Sequence, residues 1–150
     1  MRVVIQRVEK AKVEVEGRII SEIGKGLLLL VGIEKGDSLN DIDWITNKIV
    51  NLRIFDDETG IMNKSVKDIE GEILAVSQFT LTASTRKGNR PSYIRAAGHE
   101  VAIPLYKAFC QKLQDLMGKE VKEGIFGADM QVSLINDGPV TIIIDSNLRE

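Results

Sequence analysis

The sequence predicts an α+β fold: a mostly antiparallel β-sheet, curled as a β-roll, with two main helices packed on it. Three observations carry that expectation. Runs rich in Val, Ile and Leu recur along the chain, some with two-residue alternation. Only two stretches, after Ser38 and after Val101, repeat apolar residues at helical spacing. In order, the elements read β-β-β-β-α-β-β-α-β-β-β. At 150 residues, without an internal repeat, low-complexity segment or linker, residues 1–150 read as one domain.

Arg2–Arg7 starts the first strand on Val3, Val4 and Ile5. Ala11–Glu16 alternates, with Ala11, Val13 and Val15 opposite Lys12, Glu14 and Glu16, as a half-buried strand does. Glu16-Gly17-Arg18 is a hairpin turn, and Arg18–Ile23 returns. After a break at Lys25-Gly26, Leu27–Ile33 is apolar throughout and reads as a strand covered on both faces.

Ser38, with Asp41 three residues on, opens the first helix in the manner of a capping box. Ile42, Ile45, Ile49 and Leu52 form its buried stripe, and Trp44 anchors packing. Arg53–Phe55 is a short strand. Asp56-Asp57-Glu58-Thr59-Gly60 lacks the alternating oxygen ligands and distal Glu of a calcium loop, so it reads as a solvated turn. Glu72–Phe79 is the central strand, turning polar at its end without a glycine or proline to stop it.

Val101–Met117 is the second helix, with Ala102, Leu105, Phe109, Leu113 and Leu116 inward and Gly118 as its stop. Pro104 fits only in or near the first turn. Cys110 falls on the apolar side and reads as core filler. Lys119–Glu123 is an edge strand, followed by strands over Met130–Leu134 and Val140–Ile144.

Composition removes several functions. The apolar share of 43% and charged share of 28% are those of an ordinary globular protein. A net charge of −2 argues against a nucleic-acid coat, although a local basic patch remains compatible with it. Met1–Arg7 is neither a signal nor a transit sequence, and Leu27–Val31 is too short to span a bilayer, so a cytoplasmic protein without a membrane partner is expected. Cys110 is the sole cysteine and His99 the sole histidine, which leaves no ordinary zinc site and no disulfide. Metal and cofactor are both expected to be absent. No Walker loop, G-x-G-x-x-G or G-x-S-x-G is present.

The end of the central strand carries Ser77, Gln78 and Thr80 and is the floor of a candidate site. Thr80 or Ser77 could act as a nucleophile, but a hydroxyl needs a base, and none is evident nearby. Main-chain N–H groups around Phe79 and Thr80 could instead serve a developing oxyanion. Arg86–Arg95 holds four basic residues and no acid, so it is either a solvated loop or a phosphate-contacting one with Tyr93 available to stack. In Asn136-Asp137-Gly138-Pro139, proline removes a donor that a returning strand would need.

Three segments together, Ser77-Gln78-Phe79-Thr80-Leu81, Lys87-Gly88-Asn89-Arg90-Pro91-Ser92 and Asn136-Asp137-Gly138-Pro139-Val140-Thr141, resemble the signatures of the D-aminoacyl-tRNA deacylases. Met1–Val8 with Gly26–Gly32, and Gly124–Met130, match as well. Tyr93 and Asn89 are small departures. The resemblance implies the fold of that family and a homodimer with active sites at the subunit interface. The implied activity is hydrolysis of the ester linking a D-amino acid, or glycine mischarged on alanine tRNA, to the tRNA 3′ end. Ser77, Gln78, Phe79 and Thr80 would form the catalytic pocket, acting through main-chain donors and the ribose 2′-hydroxyl. Gly138 and Pro139, joined by a cis peptide and held by Arg7, would enter the partner's pocket and reject L-amino acids. Met130 would also touch substrate, and Arg86, Lys87 and Arg90 would contact tRNA. A non-catalytic nucleic-acid-binding module and a small-ester hydrolase acting through Thr80 or Ser77 are the alternatives. The acidic balance, the 5% aromatic content and the missing base weigh against them.

Overall fold

Strand β1, Arg2–Val15, is the axis of the sheet in this computed structural model, which describes residues Met1–Glu150. It then continues through β2 (Arg18–Ile23), β3 (Gly26–Gly32), α1 (Leu39–Asn51), β4 (Phe55–Asp56), β5 (Met62–Lys64) and β6 (Glu72–Ser77). A 3-10 turn at Phe79–Thr82, α2 (His99–Met117), β7 (Lys122–Glu123) and β8 (Gln131–Asp145) complete the chain. Along one edge of β1, Val15–Ala11 pairs with β2 and Val8–Arg2 with β3; β8 runs antiparallel along the other edge. Beyond β3 the sheet continues parallel into β6 and then β7. The sheet is therefore mostly antiparallel, as expected, with β3–β6 and β6–β7 as its parallel pairings.

Two pairs of expected strands prove continuous. Arg2–Arg7 and Ala11–Glu16 merge into β1, and Met130–Leu134 and Val140–Ile144 merge into β8. The reason is shared: slips in the β1–β8 register, between Gln6 and Val8 and between Val8 and Lys10, absorb the irregular residues without ending either strand. The slips also change which side of β1 is buried where. Val3 and Ile5 join the core beneath the helices, whereas Val8, Ala11 and Val13 join a second core inside the curl of the sheet.

The larger core packs Ile42, Ile45 and Ile49 of α1 and Ala102, Phe109 and Leu113 of α2 onto β1, β3 and β6. The smaller holds Leu28, Leu74 and Val76. β3 is thus covered on both faces, as its unbroken apolar run predicts. The sheet curls far enough for Ser21 of β2 to donate to the Glu123 carbonyl of β7 at 2.5 Å. Gly26 is required where β3 meets β6: a Cβ there would lie 1.9 Å from the Glu72 carbonyl oxygen.

Local signals set most element ends. Asp41 accepts from the Ser38 N–H (2.8 Å) and hydroxyl (2.9 Å) at the start of α1. Gly118, at φ 69°, stops α2. α2 begins at His99, two residues before the expected start, and Pro104 is its sixth residue, two residues deeper than expected and past the first turn. Glu16 and Gly17, both at positive φ, make the β1–β2 hairpin. In the acidic turn, Asp57 accepts from Thr59 and Ile61, and β4 pairs with β5 across it. β6 stops at Ser77 rather than Phe79, and the chain winds into the 3-10 turn.

The ends of the fold are tied together. The Met1 ammonium, fully buried, donates to Asp37 at 2.5 Å and to Ser146 at 3.0 Å. No helix is long and apolar enough to cross a membrane.

Candidate active site

A pocket of about 460 Å³ opens where β3 and β6 end. Its floor is Val31, Ile33, Val76 and Ser77, one wall is Ala96, Ala97 and His99 at the start of α2, and the other is Phe126–Ala128, Met130 and Val132. Gln78 and Phe79 stand at its rim. The lining is apolar with few polar groups, the usual make-up of a small-molecule site. Ser77, Gln78, Phe79 and Met130 are thereby brought together at one pocket.

The rim is built by the 3-10 turn. Gln78 N–H is consumed by the Val31 carbonyl (2.7 Å), which pins the turn to the end of β3. The first N–H groups of any such turn have no partner inside it, and those of Phe79 and Thr80 meet no acceptor elsewhere in the chain. Two adjacent donors therefore remain unused beside the pocket. Arg2 braces the far end of the turn, donating to the Leu81 carbonyl at 2.9 Å while paired with Asp145.

Thr80 does not line the pocket. Its hydroxyl accepts from the Gln78 side-chain amide at 2.5 Å. An amide cannot take a proton from a hydroxyl, so the contact does not activate Thr80. Thr82, the other hydroxyl of the turn, is buried and donates to the Phe79 carbonyl at 2.8 Å.

Gly138 and Pro139 are exposed, do not border the pocket of their own chain, and are joined by a cis peptide. They sit on an excursion of β8: Val8 faces Asn136 and Gln6 faces Thr141, so residues 137–140 bulge out opposite Arg7 alone. Arg7 is buried beneath them. It donates through Nε to the Asp137 carbonyl (3.1 Å) and through Nη1 to the Ile54 carbonyl (2.7 Å), with the Asp137 carboxylate 3.2 Å away. At Gly138, φ is 118° and an added Cβ would approach Arg7 Nη2 to 2.7 Å, so the position admits only glycine without rearrangement.

Arg86, Lys87 and Arg90 project from an exposed loop closed by reciprocal backbone bonds between Ser84 and Ser92 (2.8 and 2.9 Å). None of the three pairs with an acid. Arg95 is not free in the same way: it donates to the Thr82 carbonyl and lies 3.6 Å from Glu34. Phe79 and Tyr93 stack edge to face at 5.1 Å between this loop and the pocket.

His99 and Phe126 line the pocket, and sequence reasoning assigned neither to it. Their rings meet at 5.7 Å and 88°. A lone histidine at a helix start carries no signal of pocket lining, and Ala96 and Ala97 carry none at all. Tyr106 and Cys110, the nucleophile-capable groups of α2, lie in the core, where burial pushes both pKa values up. The Cys110 thiol stays protonated and packs, as its place in the helical stripe predicts. No three His, Cys, Asp or Glu side chains converge as metal ligands.

Comparison with known proteins gives one consistent result. A family model described as D-Tyr-tRNA(Tyr) deacylase matches residues 4–145. The D-aminoacyl-tRNA deacylase of Flavobacterium psychrophilum is 62% identical over 150 residues, and that of Porphyromonas gingivalis 63%, each covering the whole of both chains. Among solved structures, the c-Myc DNA Unwinding Element Binding Protein superposes with a TM-score of 0.92 at 44% identity, covering 97% of this chain and 98% of that one. A probable eukaryotic D-amino acid tRNA deacylase shares the fold at a TM-score of 0.82 and 17% identity, over 95% and 97% of the two chains.

Proposed function

Because the chain belongs to the D-Tyr-tRNA(Tyr) deacylase family and is a hydrolase of D-aminoacyl-tRNA esters, we propose that its chemistry runs on main-chain donors and its chirality on a backbone wall. The observation that carries the reading is the pair of unused N–H groups at Phe79 and Thr80 beside the pocket, while the Thr80 hydroxyl, outside the lining, is engaged by the Gln78 amide and not by a base. The aminoacyl ester is already activated. Water adds to its carbonyl carbon, the developing oxyanion is held by the Phe79 and Thr80 N–H groups, and the bond to the ribose oxygen breaks, releasing amino acid and tRNA. The neighbouring 2′-hydroxyl assists proton movement, which spares the protein a base. Ser77, Gln78 and Met130 shape the pocket.

Chirality follows from what the pocket lacks. Its own Gly138 and Pro139 do not border it, so the wall it needs comes from a second copy of the chain, the two active sites lying at the interface of a homodimer. An L side chain meets that backbone, whereas a D side chain points out and glycine has nothing to collide. Glycine mischarged on alanine tRNA is then accepted along with D-residues, whatever their side chain. The unpaired Arg86, Lys87 and Arg90 reach the tRNA phosphates, with residues 1–150 serving as one cytoplasmic catalytic domain.

Ester loss from D-Tyr-tRNA and L-Tyr-tRNA tests this. The D-substrate is expected to be cleaved and the L-substrate spared; equal rates, or none, would refute the reading. Thr80→Ala is expected to keep activity within about tenfold, while a loss beyond about a thousandfold with the fold intact would restore a side-chain nucleophile. Binding of nucleic acid without cleavage, the reading suited to the similar c-Myc DNA Unwinding Element Binding Protein by its title, predicts no ester loss at all.

A further inference from the structure

The Gly138–Pro139 excursion is held from two faces, and only one of them involves Arg7. Adjacent residues of a strand point to opposite faces. Arg7 grips Asp137 at the start of the excursion from one side, so its neighbour Gln6 is directed to the other. There Gln6 Oε1 accepts from Asn136 Nδ2 at 2.5 Å and from Thr141 Oγ1 at 2.7 Å. Asn136 Nδ2 also reaches Thr141 Oγ1 at 3.1 Å, and Asn136 Oδ1 accepts the Val140 N–H at 3.1 Å. Asn136 and Thr141 are the two residues that flank the excursion, and Gln6 is the cross-strand partner of Thr141.

Three side chains thus close a ring across the mouth of a four-residue bulge. We infer that Gln6, Asn136 and Thr141 are positioning residues for D-selectivity: they fix the height and tilt of the Gly138–Pro139 backbone, and discrimination against L-amino acids depends on them. The inference rests on the reading that this backbone excludes the L side chain. A steric wall discriminates only as well as it resists displacement. An L side chain needs about a bond length of room, and a bulge tethered on the Arg7 face alone can pivot by that much. The ring removes the pivot. Its members touch no substrate, so their loss acts through the wall and not through the oxyanion donors.

The chemistry of the ring dictates the test. Gln6 uses only its oxygen, as acceptor of both bonds, so Gln6→Glu preserves the ring, whereas Gln6→Leu and Thr141→Val delete bonds at nearly constant shape. The ratio of kcat/KM for D-Tyr-tRNA to that for L-Tyr-tRNA is measured for each, beside its thermal midpoint. Gln6→Leu and Thr141→Val are expected to lower the ratio at least tenfold through a rise in L-Tyr-tRNA cleavage, and Gln6→Glu to hold it within about threefold. An unchanged ratio in folded Gln6→Leu and Thr141→Val would overturn the inference, as would an equal loss in Gln6→Glu. Gly138→Ala separates the premise from the inference. If it too leaves the ratio unchanged, the wall itself is absent; if it alone lowers the ratio, the wall stands and the ring does not govern it.

Discussion

At the scale of single residues, glycines and main-chain amides carry more of this protein than its reactive side chains do. Gly26 shows the structural side: with the Glu72 carbonyl 1.9 Å from where a Cβ would be, Gly26→Ala forces β3 and β6 apart. Urea unfolding of that variant is expected to show a loss of roughly 3 kcal/mol or more, and unchanged stability would mean that the strands separate freely. The proposed functional side is at Phe79 and Thr80, whose contribution would be two main-chain N–H groups that no acceptor in the chain occupies. That is why the site was only half legible from residues. Ser77, Gln78 and Met130 reach the pocket as expected, but a free N–H depends on where a turn begins. The side-chain alphabet around Thr80 advertises a nucleophile that the Gln78 contact does not activate. His99 and Phe126 were missed for the opposite reason, since their place in the pocket follows from how α2 and the Gly124–Met130 segment meet.

Among the elements, periodicity predicted what is local and missed what is not. Helical spacing found α1 and α2, capping chemistry fixed Ser38 and Gly118, and an unbroken apolar run identified β3 as doubly covered. The parallel pairing of β3 with β6 left no trace, because it is set by a crossover through α1 and not by a turn. Likewise β1 and β8 read as four strands because their bulges resemble strand ends. The loop between Ser84 and Ser92 stands apart from the sheet, and the role proposed for it is electrostatic. Each phosphate contact contributes roughly 0.7–0.9 to the slope of log K against log salt. Replacing Arg86, Lys87 and Arg90 together by alanine is expected to flatten that slope for tRNA binding by about 2, with stability unchanged. An unaltered slope would place the tRNA elsewhere.

For the whole molecule, the decisive geometry is that Gly138 and Pro139 do not border the pocket of their own chain. β8 pairs only with β1, so its outer edge is open, and Ile143 on it is 65% exposed. A long unpaired edge with exposed isoleucine is a surface that folded proteins ordinarily cover. The purified chain is expected to sediment at twice its 16.6 kDa, and a monomer that retains full D-selectivity would refute a wall contributed by a second copy. The joined ends described above have a mechanical meaning too. Met1 meets Ser146 and Arg2 lies opposite Asp145, so tension applied at the two ends of this strand pair peels β1 from β8 bond by bond and does not shear the pair. The first ladder rungs to part are those between the ends and Gln6, and the next belongs to the Gly138–Pro139 excursion. The proposed stereochemical wall therefore sits a few rungs inside the seam between the two chain ends, which the bond from the Met1 ammonium to the Ser146 hydroxyl closes.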